Sequence, residues 1–588
     1  MRKIVWSFFA IALILSAASC QDNGLDANYS NSTLTITATI VEPETSRMGY
    51  TFPDNNIQPT WADGDQVFGF DSEGNNFTFE VESVTDGRAT MTVVGEYTPV
   101  NGRTIYAMFV PGKRVTDIEG NEVVIELDKQ TNVNNPSVIL CATSTVSENT
   151  VNLGFRYQTA IVGVKQFKIP ETSADVTSLK LVGAKAQGTI KVEGGELKLV
   201  PADGTQTITA SPATSWTANE SGIVSTPVYF MVIPTVDAEL ELQATTATAN
   251  YVNLSHIGED GLDIEAGHYY YMSKNLATPV AQVGREKYTT IDAAWAAANA
   301  ATSDVTVTLL ANCTATSTLT LDNSGTNAVT LDLNGHNLTG SSSVTTITAL
   351  RELVITDSKG TGKITSPYYY VVRVEGSSTN VTISNCTIVS TNTNTSRTTY
   401  VYPAAVLIYD ENTQSGKTES HLTINNATIY TENKLTAVSN RNGNLEITNS
   451  EISSGITTTG MVGVSTGDNS NTEVTPSTII NSGCFYCSNT EGTRPAAYLY
   501  GTGSRVTIND GFFYSEGTRS VRAATAATLA NYTINGGFYN KEIPYEYQSK
   551  MYYPSYKSGY SCQQITPSST TTHSKKGTLS FGYQVKSE

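Results

Sequence analysis

Along the C-terminal half of the chain, apolar residues alternate with Thr, Ser or Asn in short segments, each closed by an Asn, Asp or Gly. The segments are VTLDLNGHNLTG from Val329, LVITDSKGTGKITS from Leu353, VTISNCTIVST from Val381, LTINNATIYTE from Leu422, LEITNSEISSG from Leu445, VTINDGFFYSEG from Val506 and YTINGGFYN from Tyr532. Period-two alternation marks a strand with one buried face, and the polar turn residue marks its end. Matching aliphatics at Leu331, Ile355, Ile383, Ile424, Ile447, Ile479, Ile508 and Ile534 recur at steps of roughly 23 to 41 residues, the spacing of solenoid repeats. One such segment cannot hide its own Leu, Ile and Val. Stacked segments make a continuous core and pair each strand above and below. The expected fold here is a right-handed parallel β-helix. Asp357, Asn385, Asn426, Asn449, Asn481 and Asp510 fall two residues after these anchors, where short polar side chains tolerate left-handed turns. A catalytic group has no reason to recur at every rung, so they read as architecture.

The front half alternates differently. From Leu34 the strands LTITATIV, QVFGF, NFTFEVESV, ATMTVVGEY, RTIYAMFVP, NEVVIELD and VNLGFRYQTAIVGVKQFKI are separated by Gly, Asn, Asp and Pro, and a second set follows from SLKLVGAK to GHYYYMSKNL. This pattern predicts two β-sandwiches in tandem, over 34–168 and 169–279, joined near Ile169-Pro170. Between them and the repeats, YTTIDAAWAAANAATS from Tyr288 carries a 3.6-residue period. Thr290 is its N-cap, Asp292 lies in its first turn, and Ile291, Ala294, Trp295 and Ala298 share a face. Such a helix would plug the open end of a β-helix over 280–588, and the Tyr-rich segment from Ile543 would close the other end.

Residues 1–20 run from Arg2 and Lys3 through an apolar stretch, Ile4 to Leu15, to Ala-Ala-Ser-Cys. This is a secretory leader, and its end resembles a bacterial lipobox, which implies lipidation at Cys20 and anchoring in the outer membrane. Residues 21–33 then serve as a polar tether. The formal charge is −18, two units more negative without Arg2 and Lys3. That balance excludes a nucleic-acid partner and a polybasic grip on anionic lipid. Six further cysteines in an exported chain of this length are not a disulfide framework. Cys386 reads as core filling, and the C-x-x-C of Cys484 and Cys487, without further ligands, as packing or a local disulfide rather than a metal site.

A resemblance then becomes specific. The ordered set of a Thr-rich first strand, Ser46-Arg47, Trp61-x-x-Gly64-Asp65, Tyr106-Ala107 ending at Pro111, Gln130, Phe155 to Val164, Tyr229 to Pro234 and Gly267-His268-Tyr269-Tyr270 resembles the fimbrillin family over residues 34 to 277. The resemblance implies transthyretin-like sandwiches and export as a lipoprotein. It also implies proteolysis after Arg47, which would remove the first strand and let another fimbrillin-type subunit insert its own by β-augmentation. A large domain stands where the donor segment of a shaft subunit would be, so a fimbrial tip or stand-alone adhesin is expected. Trp61, Asp63 and Asp65 lack the ligand spacing of a calcium loop and read as a turn with a packed Trp.

The repeats, including LDLNGHNLTG, resemble pectate-lyase-like β-helix proteins, a likeness of fold rather than of activity. The rival is a polysaccharide lyase or glycoside hydrolase, for which Asp332, Arg373 and Glu375 would have to converge on one face. With five histidines, His336 among them placed at a turn, no catalytic set, metal site or cofactor is read from the sequence. Binding to glycans or to surface proteins is the favoured reading. Tyr368, Tyr369, Tyr370, Arg373, Glu375, Tyr400, Tyr402, Tyr498 and Tyr500 are its candidate contacts, because Tyr offers a flat apolar ring and a hydroxyl. The third reading is a purely structural surface subunit.

Overall fold

The computed structural model describes residues 35–40, 61–98, 100–110, 121–130, 138–255, 257–376, 379–393, 403–409, 419–467, 475–490, 494–501, 503–543, 545–547, 550–552 and 554–588. Cys20, Arg47, Tyr400 and Tyr402 lie outside them. The described chain is all-β apart from the helix Ile291–Ala300 and one helical turn at Ala526–Leu529.

Seven strands between Thr35 and Tyr157 close into a barrel. Its last gap is filled by Thr35–Ile40, which runs antiparallel to Arg88–Val94 and parallel to Thr150–Tyr157. Trp61 packs edge-on against Phe109 and Phe155 inside, with Asp65 accepting from the Ala62 N–H at 2.8 Å to hold the turn. The expected single strand from Phe155 to Val164 is two: Thr150–Tyr157 belongs to the barrel, and Ala160–Lys168 pairs with Val228–Val232 and Tyr269–Ala277 in the next sheet. The chain leaves the barrel at Gln158-Thr159, and the earlier strands Val123–Glu126 and Lys129–Gln130 already pair with Gln187–Glu193 and Gln206–Ala210 of the following sheets. The alternation continues through both strands, so only the partner strands could have revealed the break. Gln130 acts as a substitute strand residue. Its amide donates to Met231 O at 2.8 Å and accepts from Met231 N at 2.9 Å.

From Val305 onward the chain winds through three parallel sheets in rotation, the arrangement of a parallel β-helix. The first sheet runs from Val305–Leu309 to Tyr532–Ile534, the second from Cys313–Thr314 to Phe538–Tyr539, and the third from Leu319–Leu321 to Val521–Ala523. Register aligns Val307, Leu331, Ile355, Ile383, Ile424, Ile447, Ile480, Ile508 and Ile534 in one inward row. Every member is fully buried. The expected anchor Ile479 is thus off by one: Ile480 is the inward residue, and Ile479 lies on the outer face, 39% exposed. Adjacent isoleucines let either satisfy the repeat, and a one-residue slip exchanges the faces. On the second sheet the inward row ends in stacked rings, Phe485 on Phe513 at 4.8 Å and Phe513 on Tyr539 at 5.1 Å, matching the spacing of neighbouring strands.

The helix buries Ile291, Ala294, Trp295 and Ala298 against the first rung, with Thr290 accepting from Ala293 N at 3.3 Å. Asp292 pins it to the rung by accepting from the Thr316 and Ser317 N–H groups and hydroxyls. Burial would raise that carboxyl, and the Ser317 and Thr316 bonds outweigh it, leaving it below its usual range. The join to the preceding sheet is ionic. Arg285 pairs with Glu239 and Lys287 with Glu241.

The C-terminal segment closes the last rungs and also does more. Ser555–Tyr556 pairs with the first sheet, and Gly577–Ser587 pairs antiparallel with Phe538–Tyr539 at the end of the second. With Tyr560–His573 it forms a hairpin. The tip of this hairpin reaches back over the outer face of the second sheet to Ser453 and Tyr430.

Candidate functional site

The three outer faces of the solenoid differ in what covers them. On the third sheet, Arg373 follows Thr320 and Thr348 in a row that register continues through Leu407, Ser439, Ser465 and Tyr498 to Arg522. The four members between Arg373 and Arg522 are buried, Tyr498 to 3% exposure. Tyr498 is therefore not a surface platform, which corrects the expectation from alternation alone. Its ring lies under Arg522, 5.5 Å from the guanidinium carbon, and 5.9 Å from the half-buried ring of Tyr500. Arg373 and Glu375 form an ion pair with each other. Asp332 lies on the first sheet, so the three polar residues that a cleaving enzyme would need together are on two different faces. At the corner between the second and third sheets, Tyr368, Tyr369 and Tyr370 are half-buried and self-associated. Tyr368 stacks on Tyr369 at 4.0 Å, and Tyr370 stands edge-on to Tyr369 at 4.9 Å.

On the second sheet the outward row Tyr430, Ser453, Tyr486 and Tyr514 lies beneath the hairpin. Phe581 packs against Phe512 and Tyr514, Lys575 sits over the Tyr430 ring at 5.0 Å, and Lys576 over Tyr486 at 5.3 Å. His573 is buried there, its pKa depressed chiefly by burial.

Among the described residues no segment covers the outer face of the first sheet or its corner with the second. Asn385, Asn426 and Asn449 take left-handed φ values of 53°, 51° and 45°, and their amides form a directed chain. Asn449 donates to Asn426 at 3.2 Å, and Asn426 donates to Asn385 at 2.8 Å. Asp357 and Asp510 do not share this turn, and Gly483, Gly511 and Gly537 take positive φ in the later rungs. A second amide chain runs from Asn535 through Asn509 to Asn481. Above Asn385 the turn is longer, Asp357 to Gly362, and overhangs the ladder. The step encloses an open cleft of 530 Å³ lined by Ser358, Lys359, Asn385, Cys386, Thr387 and Asn426, among others. The sequence carries the signal for this cleft as the extra residues of DSKGTGK relative to SNC and NNA at the same point of the repeat.

Among the described residues the cysteines offer no activated nucleophile. Burial pushes the thiols of Cys386, Cys484 and Cys487 up to about 12, far from the thiolate range. Cys484 and Cys487 are free thiols three positions apart on one strand, hence on opposite faces, which rules out the local disulfide between them. Among the described residues no group of three or more His, Cys, Asp or Glu side chains is placed to hold a metal ion, and no helix is long and apolar enough to cross a membrane.

No protein-family profile matches the chain, and no curated protein matches it. Among solved structures, it is similar to a candidate cell adhesion protein from Bacteroides uniformis, with 14% identity over 43% of this chain and 95% of that one at a TM-score of 0.28. A candidate cell adhesion protein from Bacteroides ovatus gives 17% identity over 41% and 91%, TM-score 0.28. The fimbrial anchor protein Mfa2 from Porphyromonas gingivalis gives 12% identity over 42% and 90%, TM-score 0.25.

Proposed function

We propose that this chain is a surface lipoprotein of fimbrillin type: the barrel and the following sandwich join it to a fimbria or stand on the outer membrane, and the β-helix is an adhesive head that binds glycans or partner surfaces. The lipid on Cys20, the transthyretin-like character of the sandwiches and cleavage at Arg47 belong to this proposal.

One observation carries it. Thr35–Ile40 is the only described strand between Arg88–Val94 and Thr150–Tyr157, and it bonds to both along its length. It places Ile36 and Ala38 in the core and its threonines outside. Arg47 follows seven residues later in the sequence. Cutting there would free a strand whose loss leaves two facing ladder edges and an apolar groove, the acceptor for β-augmentation. A cleaving enzyme has less support, because Asp332 stands apart from the Arg373–Glu375 pair.

The test uses the soluble chain from Gln21 onward. An Arg-specific protease should cut after Arg47, and the cut protein should then take up a labelled synthetic peptide of the first-strand sequence. Unfolding of the barrel without peptide uptake would overturn the joining role. Retention on mucin, plant or bacterial polysaccharides without released oligosaccharide would support the adhesive head, and release would establish the enzyme instead.

A further inference from the structure

We propose that the cleft at the corner of the first and second solenoid sheets is a saccharide subsite selective for an anionic sugar residue, one bearing a carboxylate or a sulfate ester. The inference rests on the reading of the solenoid as a glycan-binding head and names its ligand class.

The cleft is rich in donors. The amide chain from Asn449 through Asn426 ends at Asn385, whose carbonyl is occupied by the Asn426 N–H while its own amide group is exposed at the cleft and donates to no described residue. Aligned amides polarise one another, so the terminal N–H₂ is the strengthened donor end. Thr387 and Thr428 add hydroxyls from the adjacent outward row, and Ser358 adds another from the overhang. Lys359 lines the cleft, and Lys363 precedes Thr387 in that same row. Both lysines are exposed, and neither is ion-paired among the described residues.

Asp357 itself lines the cleft, with its oxygens held by backbone N–H groups, and the other carboxylates nearby are committed elsewhere. Asp357 is 3% exposed and accepts from the N–H groups of Gly335, Lys359 and Gly362. Asp332 accepts from Asn334 and Ser358. Glu451, further along the row, is held by Ser574. The cleft thus presents donors and the exposed ammonium of Lys359, with Lys363 in the flanking row and its one lining carboxylate, Asp357, buried and hydrogen-bonded, on a chain whose formal charge is −18. A neutral sugar would use only the hydroxyls and amide. An anionic one also uses the Lys359 ammonium, with Lys363 one strand from Thr387 as a second cation along the track, through charge-assisted bonds that are about twice as strong as neutral ones. The recess has room for one or two sugar rings, and the rows of Thr and Asn on either side give an extended glycan a track to follow.

The test measures binding of the whole soluble chain to three oligosaccharide sets of matched length: uronate-containing, sulfated and neutral. The expected result is retention of one or both anionic sets, weakening as salt rises, with at least a tenfold loss in the paired variant Lys359→Glu/Lys363→Glu. Arg505→Glu, an exposed charge change on the first sheet, should leave binding unchanged. An unchanged melting temperature in each variant shows that the fold is intact. Preference between the uronate and sulfated sets identifies the anion. Equal retention of neutral and anionic sets, or retention indifferent to the lysine substitutions, overturns the subsite and leaves the adhesive head standing. No retention of any glycan overturns both.

Discussion

His573 Nε2 lies 2.7 Å from Ser453 Oγ, while the Nδ1 of the same ring accepts from the Lys575 and Lys576 N–H groups, each at 3.1 Å. The ring is therefore neutral, with its proton on Nε2, because a proton on Nδ1 would face two donors. Burial disfavours the charged ring, Glu451 opposes that at 3.6 Å, and Lys576 and Lys575 reinforce it. Tyr486, hydrogen-bonded to Glu516, and Tyr430 under Lys575 complete its surroundings. The folded pKa is depressed, so the unfolded chain binds more protons. The hairpin's stability is complete above the ordinary histidine pKa of about 6.5 and falls as pH drops below it. Hydrogen exchange at Lys575 and Lys576, corrected for intrinsic rates, should rise several-fold between pH 7 and pH 5. His573→Phe should abolish that rise. Protection that stays constant with pH would show that the tip is not latched by this ring.

Asp71 is the corresponding hub of the barrel. Its carboxylate is 1% exposed and accepts from the N–H groups of Glu73 and Asn75, the Asn75 amide, the Tyr97 hydroxyl and Arg103 at 2.9 Å. Burial pushes the carboxyl up, but the bonds from Asn75, Glu73 and Tyr97 prevail and lower it to about 2. Its stabilising contribution is therefore full above the unfolded value of about 4 and is lost as pH falls through 2. Asp71→Asn leaves Arg103 with its buried partner uncharged and should cost about 3 kcal/mol. Urea denaturation followed by hydrogen exchange in Gln66–Asp71 measures it. A loss below about 1 kcal/mol would mean that solvent already screens the pair.

The solenoid was legible because its core is a repeated strand, and repetition survives errors at single positions. The slip at Ile479 shows the limit, since two adjacent isoleucines satisfy the same spacing and only pairing with Ile447 and Ile508 selects one. The prediction is asymmetric. Ile480→Ala should cost about 2–5 kcal/mol, the range for a large-to-small change in a packed core. Ile479→Ala, on the outer face, should stay within about 0.5 kcal/mol. Melting temperatures of the two variants decide it, and equal shifts would restore the sequence-based register.

The candidate site was less legible, because coverage is not periodic. Nothing in the alternation around Tyr498 or Tyr430 distinguishes an open outward position from one beneath another segment. His573 meets Ser453 across 120 residues of sequence. The amide ladder was read correctly as architecture at Asn385, Asn426 and Asn449, whereas its open donor end depends on the longer turn one rung above.

That ladder gives the last prediction. Asn426 combines a left-handed backbone, φ 51°, with two amide bonds, one to Asn385 and one from Asn449. Asn426→Gly keeps the backbone relaxed and removes only the exposed amide bonds, for about 1 kcal/mol. Asn426→Ala removes the same bonds and adds the left-handed penalty, about 1 kcal/mol more. The ordering of wild type, then Gly, then Ala in thermal stability isolates the backbone term. Binding separates the second role. Both substitutions take away the donor that occupies the Asn385 carbonyl, so both should weaken anionic-glycan retention equally despite their different stabilities. If retention instead tracks stability, the ladder supports the fold alone and does not polarise the donor at the cleft.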